Sequence, residues 1–261
     1  MGVDIKKYYS EHSPRSEISD KFAAGFPANP LEIMKQVRKS LIHPCENPAY
    51  FFSSNWPWFS NMANLERELA TQKIVAAKCR EFAMLSAAVM RAKGIPARSR
   101  CGFATYFDAG IYEDHWVAEY YDKGAWHLAD AQTLRLELAP GEFINGGIAW
   151  QLVRKYGFDP KLFGFTGNCK SLGLHYAAAN MIRDLGGLVK DELEYLEEND
   201  LMCEDHKLSA SELAGLDAIA ELILGQDTEK MESAFAAMRP DIKLVPWAEK
   251  EYGDLWRAGK K

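Results

Sequence analysis

The chain lacks an excess of positive charge. Its 261 residues contain 31 lysines and arginines against 37 aspartates and glutamates, which gives a formal net charge of -6. The basic residues are scattered along the sequence and form no stripe or cluster. Because nucleic acids and anionic membrane surfaces attract proteins through clustered lysine and arginine, we expect no nucleic-acid partner.

Long hydrophobic runs are also missing. The first twenty residues, MGVDIKKYYSEHSPRSEISD, do not contain the uninterrupted apolar segment of a secretory signal. No later stretch approaches the length of a helix that crosses a bilayer. The sequence therefore predicts a cytoplasmic protein with no membrane partner.

Closely spaced metal-binding residues are absent as well. None of the cysteines belongs to a C-x-x-C pair, and the six histidines show no H-x-x-x-H spacing. The cysteines are an odd, widely spread set in a chain too long to need disulfides, so we expect reduced thiols. They are Cys45, Cys79, Cys101, Cys169 and Cys203. We expect no metal and no cofactor.

The composition is that of an ordinary globular protein, with 48% hydrophobic and 12% aromatic residues. A chain of this length can bury a sizeable core. No internal repeat or low-complexity tract is visible. We therefore predict a single domain over residues 1–261, with a core at about 50–135 and a helical extension at about 146–261.

The hydrophobic pattern changes its period twice along the chain. Before the change, residues 29–39 predict one helix, and helix signals run from Leu65 to Lys93, where Gly94 is placed as a C-cap. Alternating patterns then predict strands at 97–107, 115–121 and 125–132. Later helices are predicted at 148–156, 175–199, 211–224 and 228–238. Helices, a short antiparallel sheet and more helices indicate the α+β class.

Three residues follow the order that thiol catalysis requires. Cys79 lies in the predicted helix, His115 on the second strand and Asp130 on the third. A thiolate is the attacking form of cysteine, and a neighbouring imidazolium lowers the thiol pKa. An acid can hold the imidazole in the correct tautomer. The order indicates a Cys-His-Asp triad.

The pairing of His115 with Asp130 depends on the register between their strands. If residues 121–124 form a four-residue connection, position 115 lies across from position 130 and both side chains share a face. A three-residue connection would pair His115 with Ala131 and place Asp130 on the other face.

Residues 79–132 resemble the transglutaminase-like superfamily of cysteine enzymes. The similarity lies in CREFAMLSAAVMRAKGIPARSRCGF, EDHWVAEYY and WHLADAQ, which are similar to that superfamily's cysteine helix, histidine strand and aspartate strand. The later NMIRDLGGL, residues 180–188, resembles a bacterial stand-alone branch. The resemblance implies a papain-like core with the cysteine helix packed on the sheet. It also implies an acyl-thioenzyme formed by Cys79, with His115 and Asp130.

One departure from the family concerns the residues before the cysteine. The family often has a glycine there that breaks the preceding segment. Here Ala76, Ala77 and Lys78 are compatible with a helix that continues unbroken from Leu65. In that case Cys79 would lie inside a helix, away from the amides and the dipole that stabilise a thiolate at a helix N-terminus. The charge of Lys78 could compensate in part.

Several residues are candidates for the oxyanion hole or for the cleft around the thiol. Besides the backbone N–H of Cys79, the second oxyanion donor could come from Trp56, Trp58, Asn61 or Gln72. Tyr106 and Trp116 could line the cleft mouth. The aromatic run Trp56 to Phe59 could roof the cleft, although a loop that covers the core is the simpler interpretation.

Arg98, Arg100 and Arg183 are basic residues of the predicted sheet and of the NMIRDLGGL segment. Arg98 and Arg100 are either exposed or in contact with Glu113 and Asp114. Arg183 is expected to form a local ion pair with the Asp184 that follows it, packing the helical layer.

Two classes of function fit these features. The first is a cysteine-dependent amide hydrolase or acyltransferase that acts on an amide-containing peptide or small molecule. The second is a non-catalytic binding module that keeps the fold and the cleft. The triad favours the first class, whereas the missing glycine before Cys79 is compatible with the second.

Overall fold

A computed structural model describes residues 4–46, 58–107, 110–167, 170–250 and 253. The chain divides into two compact units. Among the described residues, the first unit contains those up to Arg100 together with Trp116–Leu138, and the second contains Cys101–His115 and those from Ala139 onward. One domain over residues 1–261 stays a prediction.

The described part of the first unit contains the helices of the N-terminal part of the chain, a pair of short strands, and all or part of three strands of a larger sheet. Its helices are α1 (Ile5–Ser10), α2 (Asp20–Ala24), α3 (Pro30–Ser40), α4 (Met62–Leu69) and α5 (Cys79–Ala92). Its strands are β1 (Leu41–Ile42), β2 (Val75–Ala76), the first half of β3 (Ala97–Ala104), most of β4 (Tyr112–Asp122), and β5 (Ala125–Ala129).

Helix α5 lies at the centre of the first unit. Its apolar side chains Phe82, Leu85 and Val89 are buried, and α3 packs against it. Helix α3 starts where the sequence predicts it, because the Asn29 side chain accepts hydrogen bonds from its first turn and Pro30 cannot donate one. The cysteine helix therefore belongs to the core.

The helix signals from Leu65 to Lys93 do not form one continuous helix, which decides between the two possibilities that the sequence left open for Cys79. Helix α4 ends at Leu69, and after a turn the chain forms β2, which pairs in parallel with β1. The N–H of Ala77 then donates to the Ile42 carbonyl at 3.0 Å. These backbone bonds come from residues more than thirty positions earlier, which is why a local pattern could not reveal the break.

In the first unit, β4 lies between β3 and β5. Strands β4 and β5 are antiparallel, with Asp122 opposite Ala125 and Ala118 opposite Ala129. The connection is therefore the two residues Lys123 and Gly124, both with positive φ (48° and 94°), as in a tight hairpin turn.

Neither the four-residue nor the three-residue connection considered from the sequence is the observed one, and the four-residue alternative differs from the observed register by two residues. If the pairing continued one residue beyond Ala118 and Ala129, Asp130 would lie opposite Val117. A shift of two residues keeps the face to which each side chain points, so Asp130 keeps the parity that the sequence assigned to it.

In the second unit, the strand order is β6-β3-β4-β7-β8. The new strands are β6 (Phe143–Asn145), β7 (Phe163–Phe165), β8 (Ser171–Leu172), β9 (Glu197–Glu198) and β10 (Lys243–Leu244). Strand β7 is parallel to β4, an addition to the predicted antiparallel sheet. The helices are α6 (Gly146–Arg154), α7 (Leu174–Leu188), α8 (Ala210–Gly225) and α9 (Thr228–Met238).

The C-terminal helices were predicted correctly except for the length of one. The pattern at 175–199 predicted a longer helix than α7, which ends at Leu188. At Gly186 the returning chain approaches so closely that a Cβ would lie 2.7 Å from the Asp191 carbonyl oxygen. The mixture of helices and strands confirms the α+β class.

Gly102 allows β3 and β6 to pair closely. A Cβ on Gly102 would lie 2.2 Å from the Ile144 carbonyl oxygen. We expect Gly102→Ala to lower the free energy of unfolding by about 2 kcal/mol, because overpacking forces the strands apart. Urea unfolding measures this change.

Gly215 provides the matched control. It lies in α8, and a Cβ there would have nothing within 4 Å. Gly215→Ala should raise the free energy of unfolding by roughly 0.5 to 1 kcal/mol, since alanine favours a helix. Equal stability of the two variants would contradict the crowding argument.

Candidate active site

Cys79 is the first residue of helix α5. The residue before it, Lys78, has extended backbone angles (φ -80°, ψ 168°) and is the N-cap. The thiol-bearing residue is 5% exposed. Backbone N–H groups and the positive end of the helix dipole are therefore close to Cys79, and both stabilise negative charge. Although no glycine precedes it, Cys79 begins a helix and does not lie inside one.

Glu81 holds the start of this helix. Its Oε2 accepts a hydrogen bond from the Lys78 N–H at 3.0 Å, in the pattern of a capping box. Its Oε1 pairs with Arg80 Nη1 at 2.6 Å, and both side chains are fully buried. Arg80 also donates to the Phe59 carbonyl at 3.1 Å. A buried ion pair thus links the helix start to the aromatic segment before it.

The sequence prediction did not include Glu81 or Arg80 among the site residues. The available signal was the acidic residue three positions after the N-cap, which is the capping-box spacing. Lysine at the N-cap position obscures this signal, because a capping box usually has serine or threonine there.

Lys78 contacts one of the predicted cleft residues. Its ammonium Nζ lies 3.6 Å from the centroid of the Trp58 ring, a cation–π contact, and Lys78 is buried. The sequence predicted Lys78 only as a charge beside the thiol. The contact brings Trp58 to the residue that immediately precedes Cys79.

Asp130 is buried in a turn that follows β5. Its Oδ1 accepts from the N–H groups of Gln132 at 2.8 Å and Thr133 at 3.2 Å. Its Oδ2 accepts from Thr133 Oγ1 at 2.6 Å. These bonds favour the charged carboxylate and restrict its rotation, which suits a group that orients an imidazole.

His115 is buried in the second unit, on β4. Two aromatic rings surround its imidazole: Phe107, with ring centroids 4.9 Å apart, and Tyr106, at 6.1 Å, both edge-on. The predicted cleft residue Tyr106 therefore lies beside the predicted catalytic histidine. Phe107 was not predicted, although it is the next residue along the same stretch.

The remaining predicted candidates have different surroundings. Gln72 is exposed, and its side-chain amide donates to Glu68. Trp116 is buried, and its Nε1 has no hydrogen-bond acceptor among the described residues. As the residue after His115 in a strand, Trp116 points to the opposite face.

Asn61 caps α4 by accepting from the Asn64 N–H. The roles of these candidates in an oxyanion hole or a cleft stay predictions.

Trp56 and Pro57, half of the predicted aromatic roof, lie outside the described residues. Of that run, Trp58 and Phe59 are described, and both are half-buried. Phe59 packs against the core of the first unit. Packing of this kind agrees with the simpler interpretation of the segment as a cover of the core.

Arg98 and Arg100 are buried, and neither is the exposed residue considered from the sequence. Both pair with Glu119 Oε2, at 2.6 Å and 2.9 Å. Burial raises the pKa of Glu119, but Arg100 and Arg98 outweigh burial and lower that pKa below its ordinary value. The carboxylate that these arginines bind is therefore on the same strand as His115, four positions along.

Neither a cluster of metal ligands nor a membrane-spanning helix is present in the described parts of the chain. There, no three His, Cys, Asp or Glu side chains are grouped as metal ligands would be. Among the described helices, none has the length and apolar character needed to cross a bilayer.

The buried pair at the start of α5 leads to a stability prediction. Glu81→Gln keeps an acceptor for the Lys78 N–H but removes the charge that Glu81 presents to Arg80. Because removing one partner of a buried ion pair is strongly destabilising, we expect a loss of about 3 kcal/mol in the free energy of unfolding. Denaturant unfolding followed by circular dichroism measures it.

Glu32 is the matched control for this prediction, because its ion pair with Lys35 at 2.7 Å is exposed. Glu32→Gln should change the free energy of unfolding by no more than about 0.5 kcal/mol. A loss in Glu81→Gln as small as in the control would show that the buried pair does not hold the helix start.

Comparison with known proteins supports the resemblance over part of the chain. Residues 49–131 match the model of the transglutaminase-like superfamily. This range contains all three predicted catalytic residues, so the family resemblance of this region is confirmed. None of the curated proteins matches the chain.

One solved structure is similar, a "Putative Cysteine Protease" from Cytophaga hutchinsonii. It is 21% identical to this chain, with a TM-score of 0.39. The alignment covers 56% of this chain and 46% of that one, so the chain matches less than half of that protein's length. A likeness at this level carries no argument about activity.

Proposed function

Residues 49–131 belong to the transglutaminase-like superfamily. We propose that the chain is a cysteine-dependent amide hydrolase or acyltransferase. Cys79 is the nucleophile, His115 the acid and base, and Asp130 the residue that orients His115. The substrate is an amide-containing peptide or small molecule.

The proposed reaction has two steps. The Cys79 thiolate attacks the amide carbonyl carbon, the carbon–nitrogen bond breaks, and His115 gives its proton to the departing amine. The product of this step is a thioester on Cys79. Water or a second amine then attacks the thioester while His115 takes its proton, and the carbon–sulfur bond breaks to restore the thiolate. Water yields hydrolysis, and an amine yields transfer.

The position of Cys79 at the first residue of α5 is the observation that carries the proposal. A thiol there is close to backbone N–H groups and to the positive end of a helix dipole. The same N–H groups can bind the oxyanion that forms when the thiolate attacks. A cysteine that only filled the core would need no such position.

The surroundings of Asp130 support its assigned role. Two backbone N–H groups and the Thr133 hydroxyl fix its carboxylate, so little reorganisation is needed to hold an imidazole. Lys78, the residue before Cys79 in the chain, is buried and holds its ammonium against the Trp58 ring.

Alkylation of the thiol tests the proposal without knowledge of the substrate. Iodoacetamide should modify Cys79 rapidly already near pH 6, because pairing with an adjacent imidazolium favours the thiolate, which is the reactive form. His115→Ala should slow the modification by at least about tenfold at that pH. Asp130→Asn should slow it less, by loosening the orientation of the ring. Mass spectrometry of tryptic peptides over a pH series measures each rate.

The other cysteines are internal controls in the same experiment. Cys203 is the best of them, since burial raises its pKa and nearby acids raise it further. It should react appreciably only as the pH approaches the ordinary thiol range. Identical pH profiles for Cys79 in the wild type and in His115→Ala would contradict the nucleophile assignment. They would leave a transglutaminase-like module that binds without catalysis.

A further inference from the structure

Phe107 is an exposed aromatic residue in contact with a buried histidine. Its side chain belongs to a residue that is 43% exposed, whereas His115 is only 2% exposed. The two ring centroids are 4.9 Å apart, and the rings meet at 75°. Both residues belong to the second unit. The imidazole is therefore buried, and a ring that packs against it is partly open to solvent.

Tyr106 completes a cluster of three rings. It is half-buried, and its ring centroid lies 5.0 Å from that of Phe107 and 6.1 Å from that of His115. Aromatic rings at such distances attract one another, so two neighbours restrict the ring of Phe107. A side chain that is already restricted loses little further freedom when a ligand packs on it. The exposed part of Phe107 is thus a preorganised apolar surface.

Exposure alone does not mark a binding site, because proteins leave many single apolar side chains on their surface. Phe158 is an example in the same unit: it is 37% exposed, and its ring lies 6.3 Å from that of Tyr112. Phe107 differs in having His115, the proposed acid and base, as its neighbour. A substrate that reaches an imidazole with so little exposed surface contacts the side chains around it. Of the two rings described there, Phe107 is the more exposed.

Helix α7 ties together the two strands that carry this cluster. Asn180 is fully buried, and its Nδ2 donates to the Gly102 carbonyl on β3 at 2.9 Å and to Asp114 Oδ1 on β4 at 2.7 Å. Phe107 follows shortly after the end of β3, and His115 comes directly after Asp114. These bonds therefore help to fix the place of the Phe107 ring relative to the imidazole.

The NMIRDLGGL segment of α7 makes further contacts that support the same strands. Asp184 accepts from the Cys101 N–H on β3 at 3.1 Å. Arg183 is buried and pairs with Glu198 at 3.3 Å. The predicted ion pair between Arg183 and Asp184 is therefore wrong, because each of the two side chains bonds to a more distant part of the chain.

We propose that Phe107 is a substrate-binding residue that receives an apolar, ring-bearing group on the amide nitrogen of the substrate. In a peptide, this group belongs to the residue on the amine side of the cleaved bond. The proposal rests on the proposed function, because it takes His115 as the group that protonates the departing amine. It names the substrate class as amides of aromatic or bulky apolar amines.

The role of His115 decides which side of the substrate meets Phe107. A nitrogen that receives a proton from His115 lies within hydrogen-bond reach of the imidazole, at about 3 Å. A ring attached to that nitrogen through one carbon can then pack on Phe107, whose centroid is 4.9 Å from that of His115. The acyl group lies beyond the carbonyl carbon, on the side that becomes bound to the nucleophile. Packing on Phe107 removes apolar surface from water, which favours binding.

Two isomeric amides test the assignment. N-benzylacetamide carries its ring on the amine side, and N-methyl-2-phenylacetamide carries it on the acyl side. Each is titrated into the full chain with Cys79→Ser, which prevents turnover, and the NMR signal of His115 Cε1 reports binding. We expect N-benzylacetamide to bind at least about fivefold more tightly, because only its ring can pack on Phe107 while its nitrogen meets the imidazole. Equal affinity, or tighter binding of the isomer, would overturn the proposal.

Phe107→Ala should weaken the binding of N-benzylacetamide about fivefold and leave that of the isomer nearly unchanged. Phe107→Tyr keeps the ring and should bind like the wild type. Phe158→Ala is the matched control, because it removes a ring of similar exposure in the same unit, and it should change neither affinity. An unchanged affinity in Phe107→Ala, or an equal loss in Phe158→Ala, would contradict the role of Phe107. If Phe107→Ala does not fold, the comparison of the two isomers on the intact ring still decides.

The two proposals can fail separately. Selective binding of N-benzylacetamide that depends on Phe107, together with Cys79 alkylation that does not depend on His115, would remove the catalytic function and keep the aromatic binding site. Alkylation that depends on His115, with equal binding of the two isomers, would keep the catalytic function and remove the role of Phe107.

Discussion

A pair of two-residue strands determines where the cysteine helix begins. Strand β2 must end at Ala76 to pair with β1, and the Ala77 N–H is bound to Ile42. The chain is then extended at Lys78 and turns into α5 at Cys79. If this pairing did not form, the helix-compatible residues before Cys79 could continue the helix, and the thiol would lose its place at the helix N-terminus.

Much of this arrangement could be predicted from the sequence, because local patterns specify it. The capping signals at Asn29 and Gly94, the alternation in β3 to β5 and the periodicity of the later helices are local features, and the structure has these elements where they were expected. The order of Cys79, His115 and Asp130 is likewise a property of the sequence, as is their similarity to a known superfamily.

The errors arose where a contact between distant residues overrides a local preference. The break before Cys79 depends on Leu41 and Ile42, although the β-branched residues Ile74 and Val75 were a weak local signal for a strand. The hairpin is shorter than either length considered from the sequence, because Tyr121 and Asp122 pair as strand residues, which turn composition alone does not indicate. Arg183 bonds to Glu198, fifteen positions later, rather than to its neighbour.

Buried ionic groups accompany the candidate catalytic residues along the chain. Arg80 and Glu81 follow Cys79 directly, Asp114 precedes His115, and Glu119 with its two arginines lies on the same strand. Such groups are a poor means of stabilisation, because desolvation offsets most of their attraction and apolar side chains would pack as well. What they provide is a fixed backbone position at the residues beside Cys79 and His115, the proposed reacting groups. We infer that the buried charges are kept for the geometry of the site rather than for the stability of the fold.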